Sequence, residues 1–126
     1  MRNIIFSTLL AAVFLVLCSC RQESPEINLA PIHEVRIDVI EATDPVEIYV
    51  YIKAGLQDSC TTFHSVDIER YVDSFNIEVY TEHSKNAACA EVYTFFEKNV
   101  ALGHEFISGQ LYSVSVNGNT RSFQYP

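Results

Sequence analysis

From Val46 to Lys53 the chain alternates without a break. Val46, Ile48, Val50 and Ile52 fall on one side, and Glu47, Tyr49, Tyr51 and Lys53 on the other. Successive side chains of a strand point to opposite faces, so period-two spacing of four β-branched residues defines one apolar face. A helix would scatter the same residues around its axis. The segment is therefore a half-buried strand, and its apolar face needs partner strands and a second layer to cover it.

The same period recurs along the chain. Val35, Ile37 and Val39 oppose Glu34, Arg36 and Asp38; Phe75, Ile77 and Val79 oppose Asn76, Glu78 and Tyr80. Thr61 to Tyr71 reads as a strand with Val66 and Ile68 inward. Leu111 to Val116 sets Tyr112, Val114 and Val116 against Ser113 and Ser115, and Phe123 and Tyr125 close a final strand. Cys89 to Leu102 is less regular, because Val92-Tyr93-Thr94-Phe95-Phe96 does not alternate cleanly. It reads first as a strand with a bulge and second as a strand buried on both faces.

Turn chemistry separates these runs: Thr43-Asp44-Pro45, the Gly55 region from Ala54 to Ser59, Val72-Asp73-Ser74, the polar stretch from Glu82 to Ala88, and Gly103 to Gly109. Asn117-Gly118 is a hairpin signal, since both residues tolerate the positive φ of a type I′ turn. About seven short strands with no amphipathic helix predict an all-β protein, an antiparallel β-sandwich. Gly109-Gln110-Leu111-Tyr112 resembles the tyrosine corner of Greek-key sandwiches, where a Tyr hydroxyl ties down the preceding loop.

The N-terminus reads differently. Met1-Arg2-Asn3 is a short cationic start, and Ile4 to Leu17 is a 14-residue apolar run broken only by Ser7 and Thr8. A spanning helix needs about 20 residues, so the run fits a secretory signal better than a retained anchor. Leu17-Cys18-Ser19-Cys20 resembles the lipobox of bacterial lipoproteins. The resemblance implies cleavage before Cys20, a diacylglyceryl group on its thiol, and an outer-membrane site favoured by Arg21 where the cell has one. The expected organisation is a lipoprotein signal peptide over 1–19, a lipid-anchored flexible tether over 20–31 and a β-sandwich over 32–126.

Without the first 19 residues, 107 remain, enough for one domain. They hold 7 basic and 16 acidic residues, a net charge of −9. That surface repels nucleic acid and anionic head groups, so no nucleic-acid partner is expected. Of four cysteines, Cys18 leaves with the signal and Cys20 is acylated. Cys60 and Cys89 then form the one intramolecular pair available to an exported chain. Closing their 29-residue separation stabilises by about 3–4 kcal/mol on chain-entropy grounds. Two reactive or metal-binding thiols are the alternative, though no CxxC spacing supports it.

The order Ala30-Pro31-Ile32, alternating strands, Gly55-Leu56-Gln57-Asp58-Ser59-Cys60, Cys89, Leu102-Gly103 and Gly109-x-x-Tyr112-x-Val114-x-Val116-Asn117-Gly118 with a closing Phe123 carries a further resemblance. It is similar to a group of uncharacterised exported prokaryotic domains, often lipoproteins. The resemblance implies an immunoglobulin-like sandwich and export, and no particular activity.

Chemistry is sparse. His33, His64, His83 and His104 are scattered, with no His or Cys partner at metal-ligand spacing. His33-Glu34, His104-Glu105 and His64 with Asp67 are acidic pairings typical of loops. No phosphate loop, nucleophile elbow or HExxH occurs, so no catalytic residue, metal or cofactor is expected. The sharper candidates are aromatic. Tyr49 and Tyr51 stand opposite the apolar face of their strand, and Tyr80, outward on its own strand, is expected to join them. Such a face suits a protein or a glycan, while cross-strand Tyr pairing that merely stabilises the sheet is the alternative.

The expectation is thus a membrane-held, extracytoplasmic binding or structural module of the cell envelope, without catalytic activity. An inhibitor of secreted proteases is the second reading. It would act through loops after Ala54, Glu82 and Gly103 gathered at one end of the sandwich.

Overall fold

The computed structural model describes residues 23–85 and 87–126. The signal segment and Cys20 lie outside the described residues. Eight strands follow in order: β1 (Glu26–Leu29), β2 (Ile32–Ile40), β3 (Glu47–Leu56), β4 (Thr61–Arg70), β5 (Ser74–His83), β6 (Thr94–Gly103), β7 (Leu111–Val116) and β8 (Asn119–Gln124). Among the described residues there is no helix. One sheet holds β1, β4, β5, β7 and β8; the other runs β2-β3-β6. The all-β sandwich is as the alternation predicts, with eight strands instead of seven.

The extra strand is β1. Residues 26–29 pair antiparallel with residues 80–83 of β5, and Ala30, 3% exposed, donates its N–H to the Val79 carbonyl at 2.8 Å. The expectation of a tether through Pro31 is corrected. Four residues of it join a sheet edge, and Ala30 sits in the core between the two sheets.

β5 is the hinge of the larger sheet. Along one edge it pairs with all of β4. Along the other it pairs antiparallel with β1 at residues 80–83 and parallel with β7 at residues 74–77. Two strands thus share one edge end to end, and β5–β7 is the parallel pair in an otherwise antiparallel arrangement. Asn117 fills the junction between them. Its Oδ1 accepts the Val79 N–H at 2.9 Å, and its Nδ2 donates to the carbonyls of Ala30 (2.9 Å) and Val79 (3.0 Å). Asn117 (φ 46°) and Gly118 (φ 86°) also form the predicted positive-φ turn between β7 and β8.

Alternation places the core as expected. Ile48, Val50 and Ile52 of β3 face Ile77 and Val79 of β5 and Val114 and Val116 of β7, all fully buried. Each such side chain contributes about 1.5–3 kcal/mol of transfer free energy. β6 carries the expected bulge: Ile48 pairs with Gly103 and Tyr49 with Ala101, leaving one extra residue between them. On β4, Val66 packs on the core, whereas Ile68 is 45% exposed. The three-stranded sheet does not cover the far half of that edge strand, and the Arg70 guanidinium lies over the rings of Phe75 (5.2 Å) and Phe106 (5.0 Å) instead.

The two ends close differently. At one, Cys60 and Cys89 are joined in a disulfide, with Cα atoms 5.4 Å apart. At the other, Phe106 wedges between Phe75, Tyr112, Phe123 and Tyr125, its ring stacked on Tyr125 at 5.0 Å. The tyrosine corner is present: the Tyr112 hydroxyl accepts the Ile107 N–H at 2.9 Å.

Candidate functional site

The outer face of the β2-β3-β6 sheet is built by register. Across it run the rows Asp38–Tyr49–Ala101, Arg36–Tyr51–Asn99 and Glu34–Lys53–Glu97, followed by Gly55 beside Phe95. Tyr49 and Tyr51 are half-buried here. The Tyr51 hydroxyl donates to Glu97 Oε1 at 2.5 Å, and the Tyr49 hydroxyl to Glu47 Oε2 at 2.8 Å. These bonds hold both phenols above the ordinary tyrosine pKa, so they remain donors. The Arg36 guanidinium covers the Tyr51 ring at 4.3 Å while bonded to Asp38 at 2.9 Å, and Lys53 Nζ covers Phe95 at 4.6 Å.

Beyond Lys53 the face becomes aromatic. The register shifts between Ile32 and Glu34, which frees His33 from pairing. Its ring meets Tyr93 and Phe95 edge-on at centroid distances of 5.6 and 5.0 Å, and Tyr93 meets Phe95 at 5.4 Å. His33 Nε2 is hydrogen-bonded to the Tyr93 hydroxyl. Gly55 permits this. A Cβ there would lie 1.8 Å from Tyr93 Oη and 3.0 Å from His33 Nε2, so the two rings meet over the one β3 position that lacks a side chain. Tyr93 is 46% and Phe95 50% exposed.

The structure does not bring the three predicted tyrosines together. Tyr80 points outward from β5, on the opposite face of the sandwich, where its hydroxyl is bonded to Glu78. The two sheets carry their apolar residues toward each other, so outward on β3 and outward on β5 are opposite directions. Tyr93, Phe95 and His33 were the missed members. The available signal was the continuation of the outward set Ala101, Asn99, Glu97 and Phe95, obscured by Lys98 on the inward set. Lys98 sits over the Phe63 ring at 3.9 Å at the sandwich edge.

The disulfide end holds a second cluster. Asp58 Oδ1 accepts the Cys60 N–H at 2.9 Å and the Thr61 hydroxyl at 2.8 Å, closing a side-chain turn. Its Oδ2 lies 3.1 Å from His83 Nε2. The Thr61 bond, above all, pulls the Asp58 pKa below the usual carboxylate value. Beside it opens a cleft of about 400 Å³, lined by Glu26, Asn28, Gln57, Asp58, Thr81 and His83. Asp58, His83 and Cys89 bring ligand-type atoms within 4.8 Å of one another, although the Cys89 sulfur is committed to the disulfide. His64 pairs with Glu82 at 2.9 Å on the surface of the other sheet.

The loops considered for protease inhibition do not converge. β3 runs past Ala54 to Leu56, and both the following turn and the segment after His83 lie at the disulfide end. The connection after Gly103 begins beside Ile48, at the opposite end.

Two facing sheets, a disulfide at one end and an aromatic outer face define a small all-β sandwich domain. The chain belongs to the ORF11 beta-sandwich domain family, which it matches over residues 50–125, from within β3 to Tyr125. No curated protein and no solved structure matches it.

Proposed function

We propose that this chain is a lipid-anchored, extracytoplasmic binding module that holds a protein of the cell envelope on the outer face of β2-β3-β6. One observation carries the reading: Phe95 of β6 and Tyr93, just ahead of that strand, stand half-exposed, continuous with Tyr51, Tyr49 and Arg36 on the sheet. Exposed Tyr and Phe with an adjacent Arg is the composition that anchors protein interfaces. A glycan is the weaker ligand, because cations already cover ring faces of Tyr51 and Phe95, where a sugar would stack.

Anchoring at Cys20 rests on the lipobox resemblance, and export is supported by the Cys60–Cys89 disulfide. Since β1 begins at Glu26, six residue steps separate it from Cys20, a reach of at most about 21 Å. β1 starts beside His83, so the disulfide end faces the membrane in this reading. Acyl chains at about 0.8 kcal/mol per buried CH₂ would keep the domain there.

The test is affinity capture from solubilised envelope with immobilised residues 23–126, oxidised, beside a Tyr93→Ala/Phe95→Ala variant. The expected result is an envelope protein retained by the parent and lost by the variant. A partner retained equally by both, or bound glycan in its place, would contradict the reading.

A further inference from the structure

The disulfide end brings ligand atoms of Asp58, His83 and Cys89 within 4.8 Å of one another, with Cys60 bonded to Cys89, and the binding reading does not use them. We propose that reduction of Cys60–Cys89 converts this end into a Zn²⁺ site held by Cys60, Cys89, His83 and Asp58. The proposal stands independently of the aromatic face.

Two of the ligand separations are already near those of a tetrahedral site, and parting the two sulfurs is what reduction supplies. With Zn–N and Zn–O bonds near 2.1 Å and Zn–S near 2.3 Å, a tetrahedron has N···O and N···S edges of about 3.4 and 3.6 Å. His83 Nε2 lies 3.1 Å from Asp58 Oδ2 and 3.9 Å from Cys89 Sγ. The support around the ligands is also in place. Asp58 offers Oδ2 because Oδ1 is fixed by the Cys60 N–H and the Thr61 hydroxyl, the outer bonds that orient a ligating carboxylate. His83 is held at the end of β5, opposite Thr61. The segment carrying Cys89 is tied independently to the β3–β4 turn: Ser59 N–H donates to the Ala90 carbonyl at 3.0 Å, and Ala90 N–H to Ser59 Oγ at 2.7 Å. Both sulfurs therefore stay near the site when their bond is broken.

The reductant is a dithiol. Its thiolate attacks one sulfur of the pair and expels the other as a thiolate; its second thiol then resolves the mixed disulfide. Two electrons and two protons pass to Cys60 and Cys89, and the dithiol leaves oxidised. Zn²⁺ then displaces the two thiol protons while Asp58 is ionised and His83 neutral. The covalent closure of this end is replaced by a coordinate one.

The experiment uses the full chain with Cys18→Ser and Cys20→Ser, so that Cys60 and Cys89 are its only thiols. It is reduced with a phosphine and titrated with Co²⁺ alone, then Zn²⁺. The expected result is one Co²⁺ per chain with intense visible absorption of a tetrahedral thiolate site, displaced by Zn²⁺, and none in the oxidised chain. His83→Ala weakens binding at least tenfold. In the reduced parent, Zn²⁺ also restores the β-sheet circular dichroism and melting midpoint that reduction lowers, and in His83→Ala it does not. Equal Co²⁺ binding by the oxidised chain, full affinity in His83→Ala, or no Zn²⁺-dependent recovery of the fold would each overturn the proposal.

Discussion

The two outer faces of the sandwich use the same local device to different ends. On each, a tyrosine hydroxyl donates to a nearby carboxylate: Tyr51 to Glu97 and Tyr49 to Glu47 on one, Tyr80 to Glu78 and Tyr71 to Glu69 on the other. On β2-β3-β6 those tyrosines continue into Phe95, Tyr93 and His33, and Arg36 and Lys53 lie across the rings. On β4-β5, Asp67 stands directly opposite Glu78, with Glu69 and Glu82 on the same surface. Both faces carry four such carboxylates, but those on β2-β3-β6 stand among Arg36, Lys53 and the aromatic rings, which leaves β4-β5 the more acidic face. A phenol beside a carboxylate is therefore not by itself a recognition signal; continuity across three strands is what separates the faces.

The largest expected effect concerns the sheet beneath the acidic face. β1 and β7 meet end to end there, and Asn117 supplies the hydrogen bonds the gap lacks. Asn117→Gly keeps a positive-φ turn but leaves the Val79 N–H without its acceptor, which should lower unfolding free energy by about 1–3 kcal/mol in urea titration. Retained parental stability would show that β1 docks without it.

Next comes the aromatic face itself. Gly55→Ala introduces a Cβ where the Tyr93 hydroxyl lies, so the ring must swing away and the His33–Tyr93–Phe95 contact is lost. Partner affinity should fall at least tenfold, about 1.4 kcal/mol, by surface plasmon resonance, and Tyr80→Ala should leave it unchanged. Equal losses in both variants would erase the distinction between the faces.

A smaller effect sharpens the electrostatic half of the comparison. Asp67→Asn removes a like charge directly opposite Glu78 and should stabilise the chain by about 0.2–1 kcal/mol, less at high salt. The smallest is a pH effect common to both faces. Tyr49, Tyr51, Tyr71 and Tyr80 all have raised pKa values from their carboxylate hydrogen bonds. Their stabilisation is full below the unfolded value of about 10 and is lost as pH rises through the higher folded values. Glu97→Gln should bring the Tyr51 titration, followed by tyrosinate absorbance, back toward the ordinary value.

Most of the fold is written in the period of the apolar residues. Val46 to Ile52, Phe75 to Val79 and Tyr112 to Val116 face inward as read, and Asn117-Gly118 turns as its φ tolerance requires. β1 was hidden because Glu26-Ile27-Asn28-Leu29 is exposed along its length: it adds to the edge of β5 through backbone bonds, which leave no apolar alternation. The site was half legible. Alternation gives the outward side of one strand, so Tyr49 and Tyr51 follow from β3 alone. It does not say which sheet a strand joins, so alternation alone does not place Tyr80 on the opposite face. His33 and Tyr93 meet only through a bulge and across Gly55, relations that arise once three strands are in register.

The most direct test of the central claim is photo-crosslinking from the full-length chain expressed in its source cell, with a photoreactive side chain at position 95 or at position 80. A defined protein adduct from position 95 and none from position 80 is the predicted result. Adducts from position 80 with none from position 95 would contradict the assignment of the β2-β3-β6 face.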